Sequence, residues 1–196
     1  MSPGSEELDN AVPNGVAVRE RQVFGKKQDY SVMFLADQGW DITFRGARPL
    51  PDETWERYLR TTENNVLYIL RHRLKEPGLT FDYVGTDVQL NVEVVTVEIS
   101  DSQGRVVKVV FDRITGLPVR QSFQYIDGAT KMRIEESMDF SKYREANGVK
   151  WPLTIVRSRN GGKVYELFAE KLQVNEGLPP DKFALPPGAI ILKKSN

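Results

Sequence analysis

Cysteine is missing from all 196 residues, which rules out disulfides, thiolate metal sites and a cysteine nucleophile. Histidine occurs once, as His72. A Ser–His–Asp triad would have to be built on it, yet no serine lies in a nucleophile-elbow context, and His72 sits between Arg71 and Arg73 beside an apolar stripe, which reads as a surface position. One histidine without cysteine also makes a zinc site improbable. Net charge is absent as well, with 27 basic and 27 acidic side chains. No Lys/Arg run suggests a groove for nucleic acid, and the closing Lys193-Lys194 is too short to count. No apolar run approaches the ~18–20 residues of a membrane-spanning helix. No basic start followed by an apolar stretch marks a secretory signal, an absence that a removed signal peptide would also produce. Glycine-rich phosphate loops are lacking too, since Gly161-Gly162 joins two strand-like segments and opens no helix.

What is present is an ordinary globular composition, 40% hydrophobic and 28% charged. Residues 1–15, with two prolines and two glycines, read as a mobile tail, and 16–196 as a single domain. Tyr30 to Leu35 and Trp40 to Phe44 form a hairpin pattern. Pro51-Asp52-Glu53 is a helix start, with Asp52 placed to cap. Trp55, Tyr58, Leu59, Thr62, Val66, Ile69, Leu70 and Leu74 then recur at helical steps. The spacing predicts one amphipathic helix of roughly six turns, with a break near Asn64-Asn65 as its weak point. Leu79 to Val84 reads as a short strand. Val92 to Ile99 changes the parity of its apolar residues, which suggests a bulge. Val164 to Val174 is apolar at both parities and is expected to be covered on both sides. Ile190-Ile191-Leu192 is expected to form a last strand.

Leu117 to Val174 carries the clearest signals. Asp127-Gly128, Asn147-Gly148 and Asn160-Gly161-Gly162 supply the positive φ that tight turns need, between segments rich in Val, Ile, Phe, Tyr and Thr. Alternation puts Val119, Gln121, Phe123 and Tyr125 on one face, and then Ile134, Glu136, Met138 and Phe140. A loop centred on Gly128-Ala129 pairs Tyr125 with Met132, Phe123 with Ile134 and Gln121 with Glu136. A two-residue turn at Asn147-Gly148 pairs Phe140 with Ile155, Met138 with Arg157 and Glu136 with Arg159. Gln121, Glu136 and Arg159 are therefore expected as a polar row on an otherwise apolar face. The row reads either as a structural ion pair at a sheet rim or as a polar contact in a ligand-binding concavity.

These elements predict an α+β fold of about nine or ten mostly antiparallel strands, strongly curved, with the long helix across the concave face. Trp55, Tyr58, Leu59, Val66 and Leu70 of the helix and Val119, Phe123, Met138, Phe140 and Ile155 of the sheet would line a space suited to an acyl chain. Glu136 is the one inward acid, so acid catalysis is poorly supported and no cofactor is expected.

Three segments carry a resemblance: FDRITGLPVRQSF (Phe111 to Phe123), DFSKYREANGVKWPLTI (Asp139 to Ile155) and LQVNEGLPPDKFALP (Leu172 to Pro186). Asp112, Thr115, Gly116, Leu117 and Pro118 fill a D-x-x-T-G-L-P turn. Tyr143, Gly148, Val149 and Pro152 fill a hairpin pattern, and Val174, Asn175, Leu178 and Phe183 an ending. Together they resemble the LolA-like outer-membrane lipoprotein-sorting family, over about residues 80–186, and the resemblance implies that this chain begins after part of the family's N-terminal helix and first strands. The resemblance implies a half-open barrel with a helical lid, a periplasmic location, and lipoprotein or lipid acyl chains as partners, with no nucleic acid. The alternative is a non-catalytic sensor or interaction domain with a filled core, meeting a membrane-associated protein. The family's lid-latching arginine has no assignable counterpart in this sequence.

Overall fold

The computed structural model describes residues 19–194 apart from Gln28, Ala36 and Leu90; the tail expected over residues 1–15 lies outside them. The chain forms two compact units, Met1–Glu63 with Gly177–Asn196, and Asn64–Glu176.

The first unit is an antiparallel meander of β1 (Glu20–Phe24), β2 (Tyr30–Phe34), β3 (Gly39–Thr43) and β4 (Gly46–Pro49), in that order. Met33, Ile42 and Ala47 form its core, packed by Trp40, Leu185 and Ala189. Helix α1 (Asp52–Glu63) follows, with Asp52 in its first turn. Tyr58 stacks on Phe34 of β2 at 3.7 Å between ring centroids, with Trp55 beside it at 5.5 Å. The expected final strand shrinks to one parallel bridge, Ala47 to Ile191. There the Ala47 N–H donates to the Ile190 carbonyl at 2.9 Å, and the Leu192 N–H to the Ala47 carbonyl at 2.8 Å. Gly46 makes this approach possible: its φ is +135°, and a Cβ there would lie 2.3 Å from the Ile190 oxygen.

The long helix expected from Trp55 to Leu74 does not form. The chain breaks at Asn64-Asn65, and Asn65 caps a new start by accepting the Leu67 N–H at 2.9 Å. Helix α2 (Val66–Tyr68) runs on as a π-helical turn, Ile69–Arg73. The wider turn changes the phase of the stripe. Val66, Ile69 and Arg73 become buried, while Leu70 is exposed.

The second unit carries β5 (Thr80–Gln89), β6 (Val92–Ser100), β7 (Val106–Asp112), β8 (Pro118–Ile126), β9 (Arg133–Ala146), β10 (Val149–Arg159) and β11 (Gly162–Phe168). They form one antiparallel seven-stranded sheet in reverse chain order, β11 to β5. β5 and β11 are its two edges, so the sheet is open rather than a closed barrel. Val66 and Ile69 pack with Ile99, Val107, Val109, Phe123, Met138 and Phe140 in the core. The bulge read into Val92 to Ile99 is instead in β5, between Tyr83 and Gly85. β6 stays regular against β7, and its two parities are both apolar because Val94 and Ile99 are both buried. β11 is exposed along its length rather than covered on both sides.

Replacing Gly46 with Ala should expel the C-terminal segment from β4. Amide exchange at Ala47 and Leu192 is expected to accelerate, with a stability loss of roughly 1–3 kcal/mol in chemical denaturation.

Candidate functional site

Three clusters of polar groups mark the helix-bearing side of the large sheet. The first is Gln121 on β8, fully buried. Its Nε2 donates to the Asn64 carbonyl at 2.9 Å, and its Oε1 accepts the Val66 N–H at 2.8 Å. Both partners are backbone groups at the helix break, where helical partners are lost. Asn65 Nδ2 also meets Met138 Sδ at 3.9 Å, which seats the start of α2 over β8 and β9.

The second cluster centres on Glu136 of β9, also buried. Its Oε2 accepts from Arg157 Nε at 3.0 Å and from Arg157 Nη2. Its Oε1 accepts from the Tyr125 hydroxyl at 3.2 Å and from Arg159 Nη2 at 3.1 Å. Burial alone would push this carboxyl up, but the two guanidiniums outweigh it and hold the group below its ordinary value. Glu136 stands opposite Arg159, as the two-residue turn predicts. Asn147 and Gly148 adopt φ of +47° and +77°, as such a turn requires.

The expected Gln121–Glu136 pair is not there. Gln121 faces Met138, and Phe123 faces Glu136, a two-residue slip in the β8–β9 register. The loop is longer than its Asp-Gly signal suggests. Asp127 Oδ1 accepts the Thr130 N–H and hydroxyl at 2.7 Å each, Lys131 takes φ +58°, and the Asp127 N–H closes on the Met132 carbonyl at 2.9 Å. Phe123 takes the place on β8 that Gln121 was expected to hold, and Arg157 joins Arg159 on the β10 side as a second partner of Glu136. Alternation on β10 could have found it, because Arg157 and Arg159 share a face.

The third cluster ties the end of the π-turn to the β6–β7 turn. Arg73 donates to Glu76 through Nε at 2.6 Å and to Asp101 through Nη2 at 2.8 Å, and Arg105 Nε reaches the same Asp101 oxygen at 2.6 Å. Burial raises the Asp101 carboxyl, but the hydrogen bonds from Arg73 and Arg105 prevail and pull it down to about 2.

The apolar residues expected around a ligand are divided. Trp55 and Tyr58 pack on Phe34 in the first unit, and Leu59 lies on α1 with them. Val66, Phe123, Met138 and Phe140 meet in the second unit's core, with Ile155 against it. Val119 sits at the irregularity where β8 leaves β7, partly buried. Between α2 and the sheet, Val66 and Ile69 pack directly against Phe123, Met138 and Phe140. Two open depressions of ≈ 340 Å³ each lie elsewhere, one lined by Gln89, Lys108, Val110 and Arg120, the other by Phe44, Pro186, Pro187 and Ile190.

The cover is narrower than the sheet. Phe81 and Tyr83 on β5 pair with Ile99 and Val97, and Tyr165 and Leu167 on β11 with Arg157 and Ile155. Cross-strand partners share a face, so all four belong to the face that α2 covers. They are nevertheless 46%, 68%, 45% and 48% exposed. Among the described residues, no group of three or more His, Cys, Asp or Glu side chains could hold a metal ion.

No family model matches the sequence, and no curated protein matches it. Solved structures do match in shape. A domain from Vibrio parahaemolyticus, named for outer membrane lipoprotein sorting, is 14% identical with a TM-score of 0.52, covering 82% of this chain and 72% of that one. A DUF1329 family protein from Desulfovibrio piger is 14% identical with a TM-score of 0.51, over 85% and 80%. A LolA superfamily protein from Nitrosomonas europaea is 10% identical with a TM-score of 0.48, over 79% and 70%.

Two measurements test these clusters. Gln121→Leu removes the hydrogen bonds that this side chain makes with the buried Asn64 carbonyl and Val66 N–H, and should cost roughly 2–4 kcal/mol in urea unfolding. The Asp101 carboxyl is depressed on folding, so its stabilisation is present above the ordinary aspartate range and is lost as pH falls toward 2. An Asp101→Asn variant should therefore lose stability at neutral pH and show a flatter stability profile between about pH 4 and pH 2.

Proposed function

Proceeding from a LolA-like fold, we propose that this chain is a non-enzymatic periplasmic binding module, a carrier that shelters an acyl chain of a lipid or lipoprotein. The chain would lie against the helix-bearing face of the seven-stranded sheet. The observation that carries this reading is the mismatch between a short cover and a wide apolar face, which leaves Phe81, Tyr83, Tyr165 and Leu167 exposed on both flanks of α2. Affinity would come from removing that surface from water, at about 25 cal/mol per Å² before the costs of association. Val66 and Leu70 on the cover, and Val119, Phe123, Met138, Phe140 and Ile155 on the sheet, are the further contacts open to a ligand that displaces α2.

A second reading has its own support. Val66 and Ile69 are buried in a filled core, which suits a sensor or interaction module that meets a membrane-associated protein without holding a ligand. Native mass spectrometry of the full chain, mixed with a diacylated lipopeptide, separates the two. A stable adduct lost on unfolding is the expected result, and an absence of any lipid or lipopeptide adduct would sink the carrier reading.

A further inference from the structure

We infer that the β10–β11 flank of α2 takes a single-chain amphiphile with a carboxylate headgroup, the head on Arg159 and the chain along Tyr165, Leu167 and Ile155. The inference rests on the acyl-binding reading and adds to it the chemical class of the ligand.

The surface offers donors rather than acceptors. Both oxygens of Glu136 are taken by Arg157, Arg159 and Tyr125, so this buried carboxylate has little capacity left for a cation. Arg157 is turned inward with a 14% exposed side chain, whereas that of Arg159 is 43% exposed. Among the described residues, the one side-chain hydrogen bond given by Arg159 is from Nη2 to Glu136. Its Nε, its Nη1 and the second hydrogen of Nη2 remain, so one two-donor edge of the guanidinium is left to meet a carboxylate. Asp127 adds a negative field near Arg159, and its Oδ1 accepts from the Thr130 N–H and hydroxyl.

The same face turns apolar directly beyond the arginines. Tyr165 stands opposite Arg157, and Leu167 opposite Ile155. Arg159 and Ile155 are four residues apart on one strand, roughly 13 Å. A cation at the turn end and an exposed apolar strip leading away from it reproduce, in reverse, the layout of a fatty acid. An uncharged ligand would leave the exposed donors of Arg159 without an anionic ligand partner.

Calorimetry with the delipidated full chain tests this, using dodecanoate, monododecanoyl glycerol and acetate. Dodecanoate should bind about tenfold more tightly than the neutral glyceride, and acetate should not bind measurably. Arg159→Gln should abolish the difference between the two long-chain ligands, Arg159→Lys should keep part of it, and Leu167→Ser should weaken both. Circular dichroism confirms that each variant is folded. Equal binding of dodecanoate and the glyceride, or an undiminished preference in Arg159→Gln, overturns the headgroup assignment while leaving acyl binding in place. Binding of neither long-chain ligand overturns both readings, and acetate binding as tightly as dodecanoate overturns the role of the apolar strip.

Discussion

One buried amide governs how the second unit is covered. Where the helix breaks at Asn64-Asn65, a carbonyl and an N–H lose their helical partners in a buried position, and each such group left unmet would cost on the order of 1–3 kcal/mol. Gln121 meets both with one side chain. A polar residue in the middle of an apolar face thereby becomes the anchor of α2. Asn65 completes the arrangement by capping the new helical start, and Arg73 ties down the far end through Asp101.

Between these two ties α2 is short. Val66 and Ile69 reach the central strands and no further. The sheet continues past them on both sides, because strands joined by tight turns add laterally without regard to the length of the segment that covers them. Exposed aromatic and aliphatic side chains on β5 and β11 follow from that mismatch. Glu136 and its two arginines sit on one flank, where a carboxylate is tolerated on an apolar face because four donors hold it.

The shape links the chain to lipoprotein-sorting and DUF1329 proteins at 14% identity. At that distance the likeness speaks of fold, and function has to be argued from the surface. Turns and strand ends carry the motif resemblance, since positive-φ glycines and asparagines are demanded by backbone geometry even where the side chains of the faces have changed.

Sequence alone determined what is local. Asn147-Gly148 specified its hairpin and hence the Glu136–Arg159 pairing, since a two-residue turn leaves one register open. The alternation of β8 and β9 identified the inward face, and the weak helix formers at Asn64-Asn65 marked the break. Tertiary structure decided the rest. The β8–β9 register depended on side-chain bonds from Asp127 within the loop, which lengthen a turn that its Asp-Gly pair alone would close sooner. The partner of Gln121 is backbone 55 and 57 residues away, beyond any periodicity. The stripe from Trp55 to Leu74 reads as continuous because helical spacing says nothing of which surface each turn will find. The first half stacks on Phe34 and the second packs on the sheet, and the broken backbone between them is stabilised by a glutamine whose role no local pattern records.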